Sequence, residues 1–133
     1  MIKLFIGAKG SGKTKTLIEL VNKAVETSKG NVICIEKGDK LIHDITYKAR
    51  LIDTDAYAVT DAEALYGFVA GILASNSDIT DIFVDGGLKI VGNDVVAFEA
   101  MLKKLEKITA EVNFVMTASI AVEECPDAIK AYA

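Results

Sequence analysis

Short, almost wholly apolar runs alternate along this chain with longer segments whose apolar residues recur every three or four positions. That alternation limits the fold more than any other feature. The runs are Ile2–Ile6, Val32–Ile35, Leu51–Ile52, Ile82–Val84 and Val112–Met116. A strand apolar on both sides is buried on both sides, as in a parallel sheet covered by helices. Between them lie amphipathic segments. Leu17, Ile18, Leu20, Val21, Ala24 and Val25 form one face from Thr14 to Lys29, and Leu65, Phe68, Val69, Ile72 and Leu73 form another. Val95, Phe98, Met101, Leu102, Leu105 and Ile108 form the third. The expected fold is α/β: a three-layer α-β-α sandwich around a mostly parallel sheet of about five strands. No proline- or glycine-rich linker interrupts the 133 residues, so 1–133 reads as a single domain.

Local signals set the expected boundaries. Lys29-Gly30 is a helix stop, with a cation in the last turn and glycine at C′. Thr60-x-x-Glu63 reads as a capping box. Asn93 or Asp94 caps the following helix, and a last short helix begins near Pro126. Gly67 and Gly71, four apart, are read as allowing close packing on the sheet. The segment Gly38–Lys48 fits a short helix or an irregular excursion.

One motif carries chemistry. Gly7-Ala8-Lys9-Gly10-Ser11-Gly12-Lys13-Thr14 matches G-x-x-x-x-G-K-[ST], the phosphate-binding P-loop or Walker A pattern. It stands between the first strand and the first helix, where its geometry requires it. Gly7, Gly10 and Gly12 allow a backbone nest whose N–H groups face an anion, and the helix adds its positive end. Lys9, Ser11 and Lys15 belong to the same nucleotide-binding stretch. Lys13 is a mobile cation that reaches the β and γ phosphates, and the Thr14 hydroxyl is a magnesium ligand. Asp85, closing the run Ile82-Phe83-Val84, fits the Walker B acid and is the second expected magnesium ligand.

These residues resemble the P-loop NTPase superfamily and, within it, the RecA-like ATPase core. The similar features are Val32–Glu36, the helix from Thr60 and Ile82–Asp85. The chain is also similar to short bacterial P-loop proteins loosely labelled twitching-motility ATPase-like, although the acidic and histidine boxes of the secretion motors are absent. The resemblance implies ATP and Mg²⁺ as cofactors. It also implies that the Val112–Met116 strand lies between the strands ending in Ile6 and Asp85. Other branches fit less well. No N-K-x-D guanine motif occurs, and Asp85-Gly86-Gly87-Leu88 breaks D-x-x-G. No L-S-G-G-Q occurs, and Ala8 stands where the MinD-like loop has lysine. A nucleotide kinase binds its phosphates with several arginine forks, whereas Arg50 is the one arginine among 15 basic residues.

Hydrolysis requires a group that orients water and a cation for the developing charge. The position after Asp85, often glutamate, is Gly86. Glu36, with Asp39 nearby, is the expected water-positioning acid by the RecA-like resemblance, making Lys13 and Glu36 the catalytic pair. Thr117 or Ser119 is a candidate γ-phosphate sensor, and Arg50 a candidate arginine finger in cis or across an interface. The expected activity is slow ATP hydrolysis, with a non-catalytic nucleotide-binding switch as the alternative.

Composition narrows the partners. A net charge of −4 argues against sequence-blind nucleic-acid binding. A single histidine, His43, excludes a multi-histidine metal site and reads as structural or superficial. The distant pair Cys34 and Cys125 fits a reducing compartment. The opening apolar run meets glycine too soon for a signal peptide, and the longest uncharged run, Ala64–Ser77, is short of the roughly 20 residues of a membrane span. The expectation is a cytoplasmic protein, with a protein partner or self-association open.

Overall fold

The computed structural model, which describes residues 1–133, contains five strands and five α-helices; strands and helices alternate except that β2 leads to β3 through turns and α3 is followed directly by α4. The strands are β1 (Ile2–Gly7), β2 (Asn31–Glu36), β3 (Arg50–Asp53), β4 (Ile79–Val84) and β5 (Asn113–Ser119). The helices are α1 (Lys13–Thr27), α2 (Ala62–Ser75), α3 (Gly87–Ile90), α4 (Val95–Ile108) and α5 (Asp127–Lys130). The strands form one sheet in the order β1-β5-β4-β2-β3, and every pairing is parallel. β5 lies between β1 and β4, so the strands ending at Gly7 and Val84 are separated by one strand. No helix is long and apolar enough to cross a membrane.

Side chains alternate across the pleat, and the two faces of the sheet are unequal. One face is the main core, a cluster of 23 buried residues. Leu4, Ile33, Ile35, Ile82, Val84, Phe114 and Met116 from the strands meet Leu65, Val69, Phe98 and Leu102 from α2 and α4 there. The other face carries a cluster of eight buried residues. There Leu17 and Val21 of α1 cover Val32, Cys34 and Phe83, Leu41 and Ile45 fold in from the Gly38–Lys48 segment, and Ala49 follows just after it. That segment is a series of turns, not a helix. Asn22 ties it to α1: its amide donates to the Asp44 carbonyl (3.0 Å), and its Oδ1 accepts from the Thr46 N–H (2.9 Å).

Several boundaries differ from expectation, each for a local reason. The cap of α2 is Asp61, whose carboxylate accepts from the Ala64 N–H (2.8 Å), so Thr60 lies outside the helix. A carboxylate at this position also complements the helix dipole. Asp94, not Asn93, caps α4, accepting from the Ala97 N–H (3.0 Å). The C-cap of α1 is Ser28, in an extended conformation. Gly30 is therefore not a left-handed cap. It is required because a Cβ there would stand 2.0 Å from the Asp78 carbonyl oxygen, at the entry to β2. Gly67 and Gly71 are exposed and meet nothing within 4 Å of a built Cβ, so they do not mediate packing on the sheet. The tail is a 3₁₀ turn, Val122–Glu124, followed by the single turn of α5, whose N-cap is Pro126. β5 extends through Thr117 and Ser119, which pair in register with Phe5 and Gly7. Cys34 and Cys125 are both buried free thiols.

Candidate functional site

All five strands run the same way, so their C-terminal ends open onto one edge of the sheet, where parallel α/β folds place ligands. A cleft of about 770 Å³ lies there. One wall is the loop from β1 into α1. Gly10 and Gly12 have φ of +86° and +89°, and Gly12 is the N-cap of α1. A built Cβ at either would meet nothing within 4 Å. Glycine is thus needed there for backbone conformation, not for space.

The opposite wall is built by the ends of β2, β4 and β5. By strand parity Glu36, Asp85 and Thr117 project toward the α1 face, and all three line the cleft. Asp85 follows β4 directly, its N–H donating to the Ile35 carbonyl at 2.8 Å. The Thr14 hydroxyl, 71 positions earlier, donates to this carboxylate, with Oγ1 3.1 Å from Oδ1 and 3.3 Å from Oδ2. Thr117 donates its hydroxyl to Asp85 Oδ1 (2.9 Å) and accepts the Gly86 N–H (2.7 Å). The acid is therefore fixed from two sides, by α1 and by β5.

Glu36 is 3% exposed. Its Oε1 accepts from the Lys40 N–H (3.0 Å) and its Oε2 from the Leu41 N–H (2.9 Å), which anchors the following turns. Burial raises its carboxyl pKa above the ordinary 4.5; the two N–H donors oppose this, and nearby Asp85 and Asp53 add to it. Lys13 curls back over the loop, donating to the Ala8 carbonyl (3.0 Å) and to Ser11 Oγ (3.3 Å). Desolvation lowers its ammonium pKa, and Asp85 partly offsets that.

The structure thus brings Lys9, Gly10, Gly12, Lys13, Thr14, Lys15, Glu36 and Asp85 around one cleft. Gly7 and Ser11 do not line it; Gly7 is buried at the end of β1, and Ser11 instead holds Lys13. Thr117 and Ser119 both line it. Asp39 is exposed and lies outside the lining, as does His43. Arg50 is exposed at the N-terminal end of β3, the opposite edge of the sheet, so it does not serve this cleft in cis.

Lys37, Lys40, Leu41 and Lys89 also line the cleft without any sequence motif to mark them, and Asn93, expected only as a helix cap, joins them. The usable signal was position: residues that closely follow the ends of parallel strands converge on one edge. Six lysines and only two acids line the cleft of a chain whose net charge is −4. Lys37 is neutralised by Asp55 at 2.6 Å. Such a cleft is suited to a polyanion.

No group of three or more His, Cys, Asp or Glu side chains is placed to hold a metal by protein ligands alone. One carboxylate and one hydroxyl suit Mg²⁺, a hard ion that usually keeps several waters and shares substrate phosphates. No protein-family model matches the chain, and no curated protein matches it.

Proposed function

We propose that the chain is a P-loop nucleotide-binding domain of RecA-like type that takes Mg·ATP in this cleft and hydrolyses it slowly. The observation that carries the reading is the hydrogen bond between Thr14 and Asp85. The hydroxyl and the acid that the motifs assign to magnesium stand 71 positions apart in sequence and meet at the mouth of the glycine loop. A glycine-rich turn of structural purpose alone does not require that meeting. The basic lining and the position of β5 between β1 and β4 support the same reading.

In this reading the loop N–H groups and the α1 N-terminus bind the β-phosphate. Lys13 leaves Ala8 and Ser11 to bridge the β and γ phosphates. Thr14 and Asp85 would hold Mg²⁺, which would neutralise phosphate charge there. Thr117 keeps Asp85 oriented. Glu36 is the water-positioning acid. ATP is preferred to GTP because the chain lacks guanine-reading motifs. A test is thermal unfolding with and without Mg·ATP. Saturating ligand at about 100 times Kd stabilises by about 2.7 kcal/mol. The expected result is a rise in melting temperature that Lys13→Ala abolishes; no rise at millimolar Mg·ATP contradicts the proposal.

A second reading, a nucleotide-binding switch with little turnover, is favoured by the state of Glu36. Both its oxygens already accept backbone N–H groups. Gly86, where other ATPases carry glutamate, has φ +71°, a conformation that strains any larger residue. Phosphate release by the purified protein separates the two readings. Slow turnover lost in Glu36→Gln supports the enzyme; turnover indifferent to both Glu36→Gln and Lys13→Ala contradicts the enzyme reading.

A further inference from the structure

The lysines of the cleft are not equivalent. Lys9, Lys13 and Lys15 belong to the glycine loop or the first turn of α1. Lys37 is engaged with Asp55. Lys40 rides on the turns that Glu36 anchors. Lys89 alone is carried by the segment that follows β4, on a rigid support. It belongs to α3, whose neighbours Leu88, Ile90 and Val91 are 2%, 2% and 3% exposed. Gly87 fixes that helix against β5, where a Cβ would stand 2.4 Å from the Met116 sulfur. The Lys89 side chain itself is exposed, lines the cleft and has no acid within ion-pair distance. A Cβ built on Gly86 would come within 3.8 Å of the Lys89 Cβ, so Lys89 stands over the residue that follows Asp85.

We propose that Lys89 binds the terminal phosphate of a nucleoside triphosphate and makes the cleft prefer triphosphate over diphosphate. The inference rests on the nucleotide reading above and adds a specificity-determining residue to it. With the β-phosphate in the loop and Mg²⁺ at Thr14 and Asp85, the γ-phosphate falls on the Asp85–Gly86 side. An unpaired ammonium on a buried platform there gives a charge-assisted contact that a diphosphate cannot make. It also supplies in cis the cation that Arg50, at the far edge of the sheet, does not.

The test is calorimetric titration of the whole chain with Mg²⁺ and either ADP or a non-hydrolysable ATP analogue. Wild type, Lys89→Ala, Lys89→Arg and Lys107→Ala are compared. A charge-assisted hydrogen bond is worth roughly tenfold or more in affinity. Lys89→Ala is expected to lose roughly tenfold or more in affinity for the triphosphate and nothing for ADP. Lys89→Arg should restore the preference, and Lys107→Ala, an exposed lysine of α4 outside the cleft, should keep it. Equal losses for both nucleotides, or none for the triphosphate, overturn the role of Lys89 while leaving nucleotide binding intact. Wild-type protein that binds neither nucleotide overturns the underlying reading and this inference with it.

Discussion

The two faces of the sheet divide the work of the molecule. On the α2–α4 face, 23 buried residues form a continuous core with no polar group of the cleft in it. On the α1 face, eight buried residues suffice, and every cleft acid rises from that side. The thick face determines whether the chain folds. The thin face holds the glycine loop, the Glu36 anchor and the turns that follow it. Segments with few buried apolar neighbours open at low free energy, and ligand-binding elements come from that end of the stability range. A cleft on the thin face can rearrange around a ligand without disturbing the main core.

The largest effect belongs to the thick face. Phe98→Ala removes a fully buried ring of α4 and should cost about 3–5 kcal/mol, a large share of a domain's stability. Denaturant unfolding measures it. Affinity for Mg·ATP, titrated under conditions where the variant is folded, should stay unchanged; a selective loss would break the division between faces. Leu41→Ala, on the thin face, should cost about 2 kcal/mol. Its distinctive sign is faster amide hydrogen exchange at Lys40 and Leu41, whose N–H groups Glu36 accepts, with the core strands still protected. Uniform acceleration across the sheet would mean that the two faces act as one unit.

These contrasts explain which features the sequence made legible. The alternation of apolar runs and amphipathic segments was enough for the five-stranded parallel sheet, because both signals are local. The glycine loop and Asp85 were legible because each is a short pattern at the end of an apolar run. Caps were less secure: Thr60 and Asp61 are adjacent competitors, and the stronger acceptor took the position. The Gly38–Lys48 turns have no periodicity, since their order comes from side chains outside them: Asn22, 22 and 24 positions before its partners, and Glu36, just ahead of the segment. Gly67 and Gly71 show the opposite error: a spacing that suggests contact lies on an exposed face. Lys89 was invisible because a lysine in a one-turn helix carries no pattern; only the topology puts it beside Asp85.

Smaller effects sharpen the account of Glu36. Its carboxyl titrates above 4.5 in the folded chain, so the native state holds the proton more tightly than the unfolded one. The stability this provides is present at low pH and is lost as pH rises from about 4.5 through the raised value. Glu36→Gln has no such step and should cost about 1–3 kcal/mol at neutral pH, because one amide oxygen cannot accept as two did. Denaturation midpoints across pH 4–8 should show the advantage of wild type over the variant shrinking as pH rises through that window. Parallel curves would mean that Glu36 does not titrate there.

The smallest effect is at the thiols. Burial, with Glu36 and Asp85 nearby, pushes Cys34 up to about 12, and burial raises Cys125 as well. Neither should react with a thiol-alkylating reagent at neutral pH in the native protein, and both should react after denaturation. Fast native labelling of Cys34, under α1, would mean that the thin face opens far more readily than its buried cluster suggests.

We propose that the meeting of Thr14 and Asp85 beside Lys13 makes a site for a magnesium-bound nucleoside triphosphate. Calorimetric titration of the intact chain with ATP, with Mg²⁺ and again with a chelator, tests it most directly. One saturable site per chain is expected, weakened without magnesium and lost in Lys13→Ala. No saturable heat at millimolar Mg·ATP, or binding equal in wild type and Lys13→Ala, would contradict it.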